Sequence, residues 1–164
     1  MRTETDFMGN EMTFDCMGCD ITSGKLAIPG GIIYQGTSAI LAADPEVPIP
    51  GFLVINARRH VRSLSELDDA ERHEVIDIAV AAEKALKTLG VSEVTLVQEE
   101  RSSHLHIWIF PNYDWMTQQF GKGVSYLRDI MQYAEEHADD ATRQEVLSAI
   151  EKVRAYFEEH GING

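Results

Sequence analysis

Polar and apolar residues alternate without a break across HLHIWIF, residues 104–110. The aliphatic positions are Leu105, Ile107 and Ile109, and the remaining positions of the pattern are His104, His106 and Trp108. Because successive side chains of a β-strand point to opposite faces of a sheet, the pattern predicts a strand with one aliphatic face turned towards the core. Burial of those aliphatic side chains would stabilise the fold by roughly 2 kcal/mol each.

Four other segments have the composition of β-strands, and they are residues 31–36, 38–44, 52–57 and 93–99. The Gly-Thr pair between the first two predicts a hairpin. Three prolines within residues 44–51 exclude a central strand there and predict an ordered loop. The polar sequence ERSS at 100–103 predicts a tight link, and therefore an antiparallel hairpin, between the last two strands.

Apolar residues recur at steps of three and four after Ser65, which predicts one long helix. Ser65 and Asp68 resemble a capping pair at its start, and Gly90 supplies a stop. Two more helices are predicted near residues 124–131 and 146–157, the second begun by a capping box from Thr142 to Glu145. The order β-β-β-α-β-β-α-α predicts an α+β fold, an antiparallel sheet with a helix across one face.

A chain of 164 residues suggests one domain. We expect three parts within it. Residues 1–30 read as a loop-rich N-terminal segment, residues 31–115 as the core, and residues 116–164 as a C-terminal helical extension of the same domain.

Composition and charge restrict the function. The hydrophobic content of 44% and the charged content of 25% are typical of globular proteins, and the net charge of −13 argues against binding of a nucleic acid polymer. A small phosphate-bearing ligand stays possible, because a local basic pocket can act within an acidic surface. Arg58, Arg59 and Arg62 surround His60 and are the best candidates for an anion-facing rim.

The sequence shows no pattern typical of a membrane span or a signal peptide. The apolar runs are too short to span a bilayer, and the polar N-terminus has no apolar core of a signal peptide. We therefore expect a cytoplasmic protein without a membrane partner.

Cys16 and Cys19, in CMGC, are the two cysteines of the chain. A gap of two residues suits one metal ion or one redox pair, whereas a disulfide scaffold is unexpected in a cytosolic chain of this size. A structural zinc would need two more ligands from elsewhere in the chain, since zinc sites of this kind are tetrahedral.

His104 and His106 would stand about 7 Å apart on one face of their strand. Two half-buried polar residues are one interpretation, and a functional pair is the one that we favour. The residues alone allow three chemistries: the pair binds a metal, one imidazole acts as a general base, or one attacks a phosphorus atom as a nucleophile.

The order of three motifs gives the chain a family resemblance. CMGCDITSGKLAIPGGIIYQG, then PGFLVINARRH, then a long helix and HLHIWIFP together resemble the histidine triad (HIT) superfamily, over residues 16–111. The resemblance implies a five-stranded antiparallel sheet with a long helix across one face. It also implies a nucleotidyl hydrolase or transferase, in which His106 attacks an α-phosphorus and His104 orients the site and helps to balance phosphate charge.

The same resemblance implies a zinc site and an assembly. In family members with the C-x-x-C motif, the two cysteines and two histidines can hold zinc. The matching residues of this chain are Cys16, Cys19, His60 and His104. Ordinary loop thiols are the alternative. No organic cofactor is implied, the substrate would be a nucleotide or nucleotide conjugate, and we expect a homodimer.

Several positions depart from the family pattern. Trp108 replaces the third histidine, and indole can donate one hydrogen bond but cannot carry out acid–base chemistry. Arg101 stands where relatives have a phosphate-contacting serine. The further candidates for substrate contacts are Ser103, Gln98 and Asp44, the last as a ribose ligand. Three hypotheses follow: an enzyme acting through His106, a nucleotide-binding module with little turnover, or an enzyme with a catalytic metal on His104 and His106.

Overall fold

The structure of this chain is a computed structural model, and it describes residues 1–163. The N-terminal segment carries regular structure that its glycine-rich composition did not predict. Strands β1 (Arg2–Thr5) and β2 (Glu11–Phe14) form an antiparallel hairpin, and helix α1 (Met17–Thr22) follows it. The first cysteine of the CMGC motif, Cys16, is the N-cap of α1, so the second cysteine lies about one turn further along, within the helix.

A five-stranded antiparallel sheet forms the centre of the molecule, as predicted. Its strands are β3 (Ile32–Gln35), β4 (Ala39–Ala43), β5 (Leu53–Ala57), β6 (Val94–Val97) and β7 (His106–Pro111). Their order across the sheet is β3-β4-β5-β7-β6. Strand β7, which comes from the alternating segment, is therefore an interior strand paired on both sides.

Helices cover both faces of this sheet. The remaining helices are α2 (Asp69–Thr88), α3 (Asp114–Gln119), α4 (Leu127–His137) and α5 (Asp140–His160). The larger apolar cluster joins the aliphatic face of β7 to residues of α2 and α5. A second cluster on the opposite face joins Phe52 and Phe110 to residues of α3 and α4, with Trp108 packed against it.

The helix starts differ from the predicted ones. Ser63, and not Ser65, caps a 3-10 turn at Leu64–Glu66, and Asp68 then caps α2 by accepting a hydrogen bond from the Glu71 amide. At α5 the predicted box from Thr142 is wrong. The cap is Asp139, whose carboxylate accepts from both the amide and the hydroxyl of Thr142.

The hairpin between β6 and β7 is confirmed, but its link runs from residue 98 to residue 105 and not only through ERSS. The backbone of His104 leaves the ladder, because its amide and carbonyl both bond to the hydroxyl of Ser102. Leu105 instead donates to the carbonyl of Val61, in the segment after β5, and accepts from the amide of Ala57, the last residue of β5. The first histidine of the alternating segment therefore lies just before the strand.

Within residues 1–163, no helix combines the length and the apolar character that crossing a lipid bilayer requires.

The buried face of β7 gives a stability prediction. Ile109 is 0% exposed, so Ile109→Ala should lower the free energy of unfolding by about 2–5 kcal/mol through lost burial and an unfilled cavity. Leu64→Ala, at a side chain 42% exposed, is the control and should cost less than about 1 kcal/mol. Urea denaturation followed by circular dichroism measures both. Equal losses in the two variants would contradict this account of the core.

Candidate functional site

Four predicted ligands, Cys16, Cys19, His60 and His104, come together at one end of the sheet. Their ligand atoms all lie within 4.8 Å of one another. They come from three separate parts of the chain: the start of α1, the segment after β5 and the segment before β7. The group is therefore a candidate metal site built by the tertiary fold.

The spacing of these atoms suits a tetrahedral zinc ion. Zinc bonds of about 2.0–2.1 Å to nitrogen and 2.3 Å to sulfur require roughly 3.3 Å between the nitrogens and 3.5 Å between nitrogen and sulfur. The two Nδ1 atoms of His60 and His104 are 3.3 Å apart. The four sulfur–nitrogen distances range from 3.2 to 3.5 Å. The donor set and its geometry fit zinc.

The backbone of β5 orients His104 for this role. His104 is 4% exposed, and its Nε2–H donates to the Ala57 carbonyl at 2.6 Å. The lone pair is thereby left on Nδ1, the atom that faces the cysteines. Burial also lowers the pKa of His104, which favours the neutral imidazole that a metal ligand needs.

Burial and the neighbouring Cys16 raise the pKa of Cys19 to about 11. A thiol with that pKa is protonated at neutral pH. A bound cation would reverse this preference by stabilising the thiolate.

Gly18, between the two cysteines, makes room for the imidazole of His104. A Cβ atom at this position would lie 2.5 Å from Cγ and 2.7 Å from Nε2 of His104, closer than such atoms can approach. The middle of the CMGC motif therefore needs glycine for a steric reason.

His106 stands one step further along, at the start of β7. Its Nδ1 lies 3.0 Å from the backbone carbonyl of His104. Because a carbonyl oxygen only accepts, Nδ1 carries the proton and Nε2 keeps a free lone pair. The main chain of one histidine thus sets the tautomer of the other.

Two cavities meet at His106 and Trp108. The larger, of about 550 Å³, extends past Asn56 to Asp44 and the N-terminal hairpin. The smaller, of about 210 Å³, extends towards Glu99 and Arg128. Four residues line both cavities, and they are Arg101, Ser102, His106 and Trp108. Together the two cavities form one cleft, and His106 lines both parts of it.

Trp108 combines packing with a place in the cleft. Its indole meets Phe52 edge to face, with ring centroids 5.7 Å apart, and packs against the apolar cluster under α3 and α4. The same ring lies 6.3 Å from the imidazole of His106. An aromatic residue at position 108 therefore connects the C-terminal helices to the cleft, which a histidine would do less well.

Asp44 lies in the larger cavity and is 8% exposed. One oxygen, Oδ1, accepts from the amides of Glu46 and Val47 at 2.9 and 2.8 Å. Burial nevertheless raises the pKa of Asp44 to about 6, and burial together with the charge of Asp44 raises that of Glu46 to about 7. Oδ2 has no hydrogen bond to the described residues, so it is available to a ligand hydroxyl.

The other predicted site residues have different environments. Arg101 is 82% exposed and lines both cavities, 4.0 Å from Glu99, whereas Ser103 lines only the larger. Gln98 lines neither cavity, although the residues on each side of it line the smaller one. Its amide nitrogen is buried without a hydrogen-bond partner among the described residues.

The basic cluster after β5 divides between structure and cleft. Arg58 bonds to carbonyl groups of Thr22 and Gly36, and Arg59 pairs with Glu71 at 2.9 Å. Arg62 alone of the three lines the cleft. The anion-facing rim predicted from the sequence is therefore reduced to this residue.

Sequence reasoning missed Asn56, Glu46 and Arg128. Asn56 is buried, lines the larger cavity and pairs in register with His106 across β5 and β7. Its signal was present, since it is the one polar side chain within FLVINA. Glu46 and Arg128 had no local signal, because a proline-rich loop and a distant helix bring them to the cleft.

Solved structures share this architecture. A zinc-bound histidine triad family protein from Mycobacterium smegmatis superposes with a TM-score of 0.59 at 12% identity, over 86% of this chain and 96% of that one. A hypothetical histidine triad nucleotide-binding protein from Sulfolobus tokodaii gives 0.56 at 15% identity, over 89% and 97%. The chain has the histidine triad fold.

A third structure with the histidine triad fold extends this likeness. A Hit-like protein from Bartonella henselae, described as involved in cell-cycle regulation, gives a TM-score of 0.55 at 18% identity, over 88% of this chain and 99% of that one. No protein-family model and no curated protein matches the chain. The histidine triad fold is thus established by structure at identities that leave the chemistry to be argued from the site.

The metal site gives a prediction about Gly18. We expect the protein to bind zinc in a one-to-one ratio and Cys16→Ala to lose it. Gly18→Ala should weaken zinc binding by about 10- to 100-fold, the range seen when the orientation of a ligand is disturbed. Alanine favours a helix more than glycine does, so a weakened α1 would not be the cause. Competition with a chromogenic chelator measures the affinity, and unchanged binding in Gly18→Ala would contradict the steric role.

Asp44 gives a prediction about pH. Its pKa of about 6 lies above the usual 3.8, so the folded chain holds this proton more tightly than the unfolded chain. The resulting stability is fully present below about pH 4 and is lost as the pH rises through 6, by up to about 3 kcal/mol. Asp44→Asn keeps an acceptor for the loop amides and should remove the part of this dependence that is due to Asp44, which leaves a shallower profile from Glu46. Urea midpoints between pH 4 and 7 measure it, with Asp77→Asn on α2 as control. Parallel profiles for wild type and Asp44→Asn would contradict the assignment.

Proposed function

We propose that this protein is a nucleotidyl hydrolase or transferase whose nucleophile is Nε2 of His106. The observation that carries the proposal is the 3.0 Å hydrogen bond from His106 Nδ1 to the His104 carbonyl. It leaves a lone pair on Nε2 of a residue that lines both cavities of the cleft. A neutral imidazole is an effective nucleophile near pH 7.

The proposed reaction has two displacements. The Nε2 lone pair attacks the α-phosphorus, a P–N bond forms, and the bond from phosphorus to the leaving group breaks with its electron pair on that group. An amine leaving group takes a proton from solvent as it departs. The imidazolium keeps its Nδ1 proton, which the His104 carbonyl accepts as a hydrogen bond. Water or another acceptor then attacks phosphorus and loses a proton to solvent, while the P–N bond to His106 breaks and its electron pair returns to Nε2.

The cleft supports a nucleotide phosphoanhydride, ester or phosphoramidate as substrate. Asp44 would accept from ribose hydroxyls, and Arg62 and Arg101 would balance phosphate charge. Ser103 offers a hydroxyl donor, and the indole of Trp108 offers a stacking surface and one N–H. The Sulfolobus tokodaii protein with the same fold is named as nucleotide-binding, which supports this class of ligand.

The metal site has a structural part in this proposal. Zinc held by Cys16, Cys19, His60 and His104 would fix the ring and main chain of His104, and so the carbonyl that orients His106. All four ligands come from the protein, as in structural zinc sites. The name of the zinc-bound Mycobacterium smegmatis protein supports the choice of metal.

One observation favours a second function, a nucleotide-binding module with weak or no catalysis. Trp108 cannot transfer a proton, so it gives no acid–base assistance to the leaving group. A leaving group that is already a good one, such as a polyphosphate, needs less of that help. The two functions therefore differ in whether a covalent intermediate forms.

An intact-mass experiment tests the proposed function. The protein is incubated with a panel of dinucleoside polyphosphates and nucleoside phosphoramidates and quenched in base, where phosphorus–nitrogen bonds to histidine survive. We expect wild type and His73→Ala, a control at an exposed histidine on α2, to gain one nucleotidyl group. His106→Ala should gain none.

Two results would count against the enzyme. An adduct that persists in His106→Ala would place the nucleophile elsewhere. Nucleotide binding by calorimetry with neither adduct nor turnover in wild type would favour the binding module.

A further inference from the structure

The smaller cavity of the cleft has its own electrostatic character. Two arginines, Arg101 and Arg128, line it against one carboxylate, Glu99. In the larger cavity three arginines face four carboxylates. An anionic group attached to phosphorus at His106 therefore meets a net positive charge only on the side of the smaller cavity, although the chain as a whole carries −13.

The size of the cavity limits what it can hold. Its volume of about 210 Å³ is below the range of roughly 300–1,000 Å³ that is common for sites of drug-sized ligands. The larger cavity, at about 550 Å³, falls within that range. A nucleoside suits the larger cavity, and a short chain of phosphoryl groups suits the smaller one.

Arg128 reaches the cavity from the C-terminal extension. It is the second residue of α4, between the buried residues Leu127 and Ile130, which pack in the apolar cluster against Trp108. This packing fixes the backbone of Arg128 relative to the sheet. Its guanidinium lies 3.5 Å from Glu99, whose carboxylate is also 4.0 Å from Arg101.

We infer that the smaller cavity is a subsite for an anionic leaving group and that Arg128 and Arg101 select polyphosphate over neutral leaving groups. This inference rests on the proposed function. Guanidinium groups bind phosphate through charge-assisted hydrogen bonds, often two at once. Glu99 occupies both guanidinium groups when the subsite is empty and competes with the incoming anion.

The competition by Glu99 gives two variants with opposite expected effects. Arg128→Gln removes one cation and should lower kcat/KM for diadenosine tetraphosphate about five- to tenfold, a modest loss because the side chain is solvent-exposed. Glu99→Gln removes the competing anion and should raise the same kcat/KM by about two- to fivefold. For an adenosine phosphoramidate with a neutral amine leaving group, both variants should stay within about twofold of wild type.

Matched controls separate the subsite from the overall charge. Lys152 and Glu158 lie on the exposed surface of α5 and line neither cavity. Lys152→Gln changes the net charge as Arg128→Gln does, and Glu158→Gln changes it as Glu99→Gln does. Both control variants should leave kcat/KM unchanged for the two substrates. Equal effects of Arg128→Gln on the two substrates, or of Lys152→Gln and Arg128→Gln on the tetraphosphate, would overturn the inference.

A binding measurement keeps the inference testable if no substrate is turned over. Calorimetric titration with inorganic tripolyphosphate should give an affinity that falls in Arg128→Gln and rises in Glu99→Gln. Absence of turnover together with these shifts would remove the proposed function and retain the anion subsite. An affinity for tripolyphosphate that is the same in wild type and in both variants would overturn the subsite.

Discussion

The fold and the site both depend on how the residue His104 is held. Its ring donates to the Ala57 carbonyl, its Nδ1 faces two cysteines and a second histidine, and its own carbonyl accepts from His106. One residue thereby joins the end of β5, the start of α1 and the start of β7. The metal cluster fixes the position of His104, and the main-chain carbonyl of His104 in turn fixes the ring of His106. The orientation of His106 therefore depends on its neighbour as well as on its own side chain.

The presence of helices on both faces of the sheet explains why position 108 holds a tryptophan. The aliphatic face of β7 packs against α2 and α5. The opposite face of the strand carries polar side chains only at the N-terminal end of the strand. By position 108 the strand has reached the apolar cluster under α3 and α4, where an indole gains more from burial than an imidazole would. The C-terminal helices thus favour an indole at position 108, and α4 also brings Arg128 to the cleft.

The sequence predicted the features that repeat along the chain. Apolar runs, one alternating segment and helical period identified the five central strands, the long helix and the order of elements along the chain, because burial imposes those patterns locally. The helix caps were predicted at Ser65 and Thr142 and lie at Asp68 and Asp139, since several neighbouring polar residues compete for a cap. The β1–β2 hairpin lacked any period. Residues such as Glu46 and Arg128 reach the cleft through tertiary packing, which the pattern of a single sequence does not reveal.

The charges of the cleft explain how an acidic protein can accept an anionic substrate. Many of its carboxylates lie at exposed positions on helices, where water and salt screen them over about 10 Å. Within the cleft, Asp44 is buried and Glu46 is half-buried, and the raised pKa of about 7 means that Glu46 holds only part of its negative charge near neutral pH. On the side of the smaller cavity, Arg101 and Arg128 outnumber the single carboxylate of Glu99. A phosphate at the imidazole therefore experiences the local arginines and not the net charge of the chain.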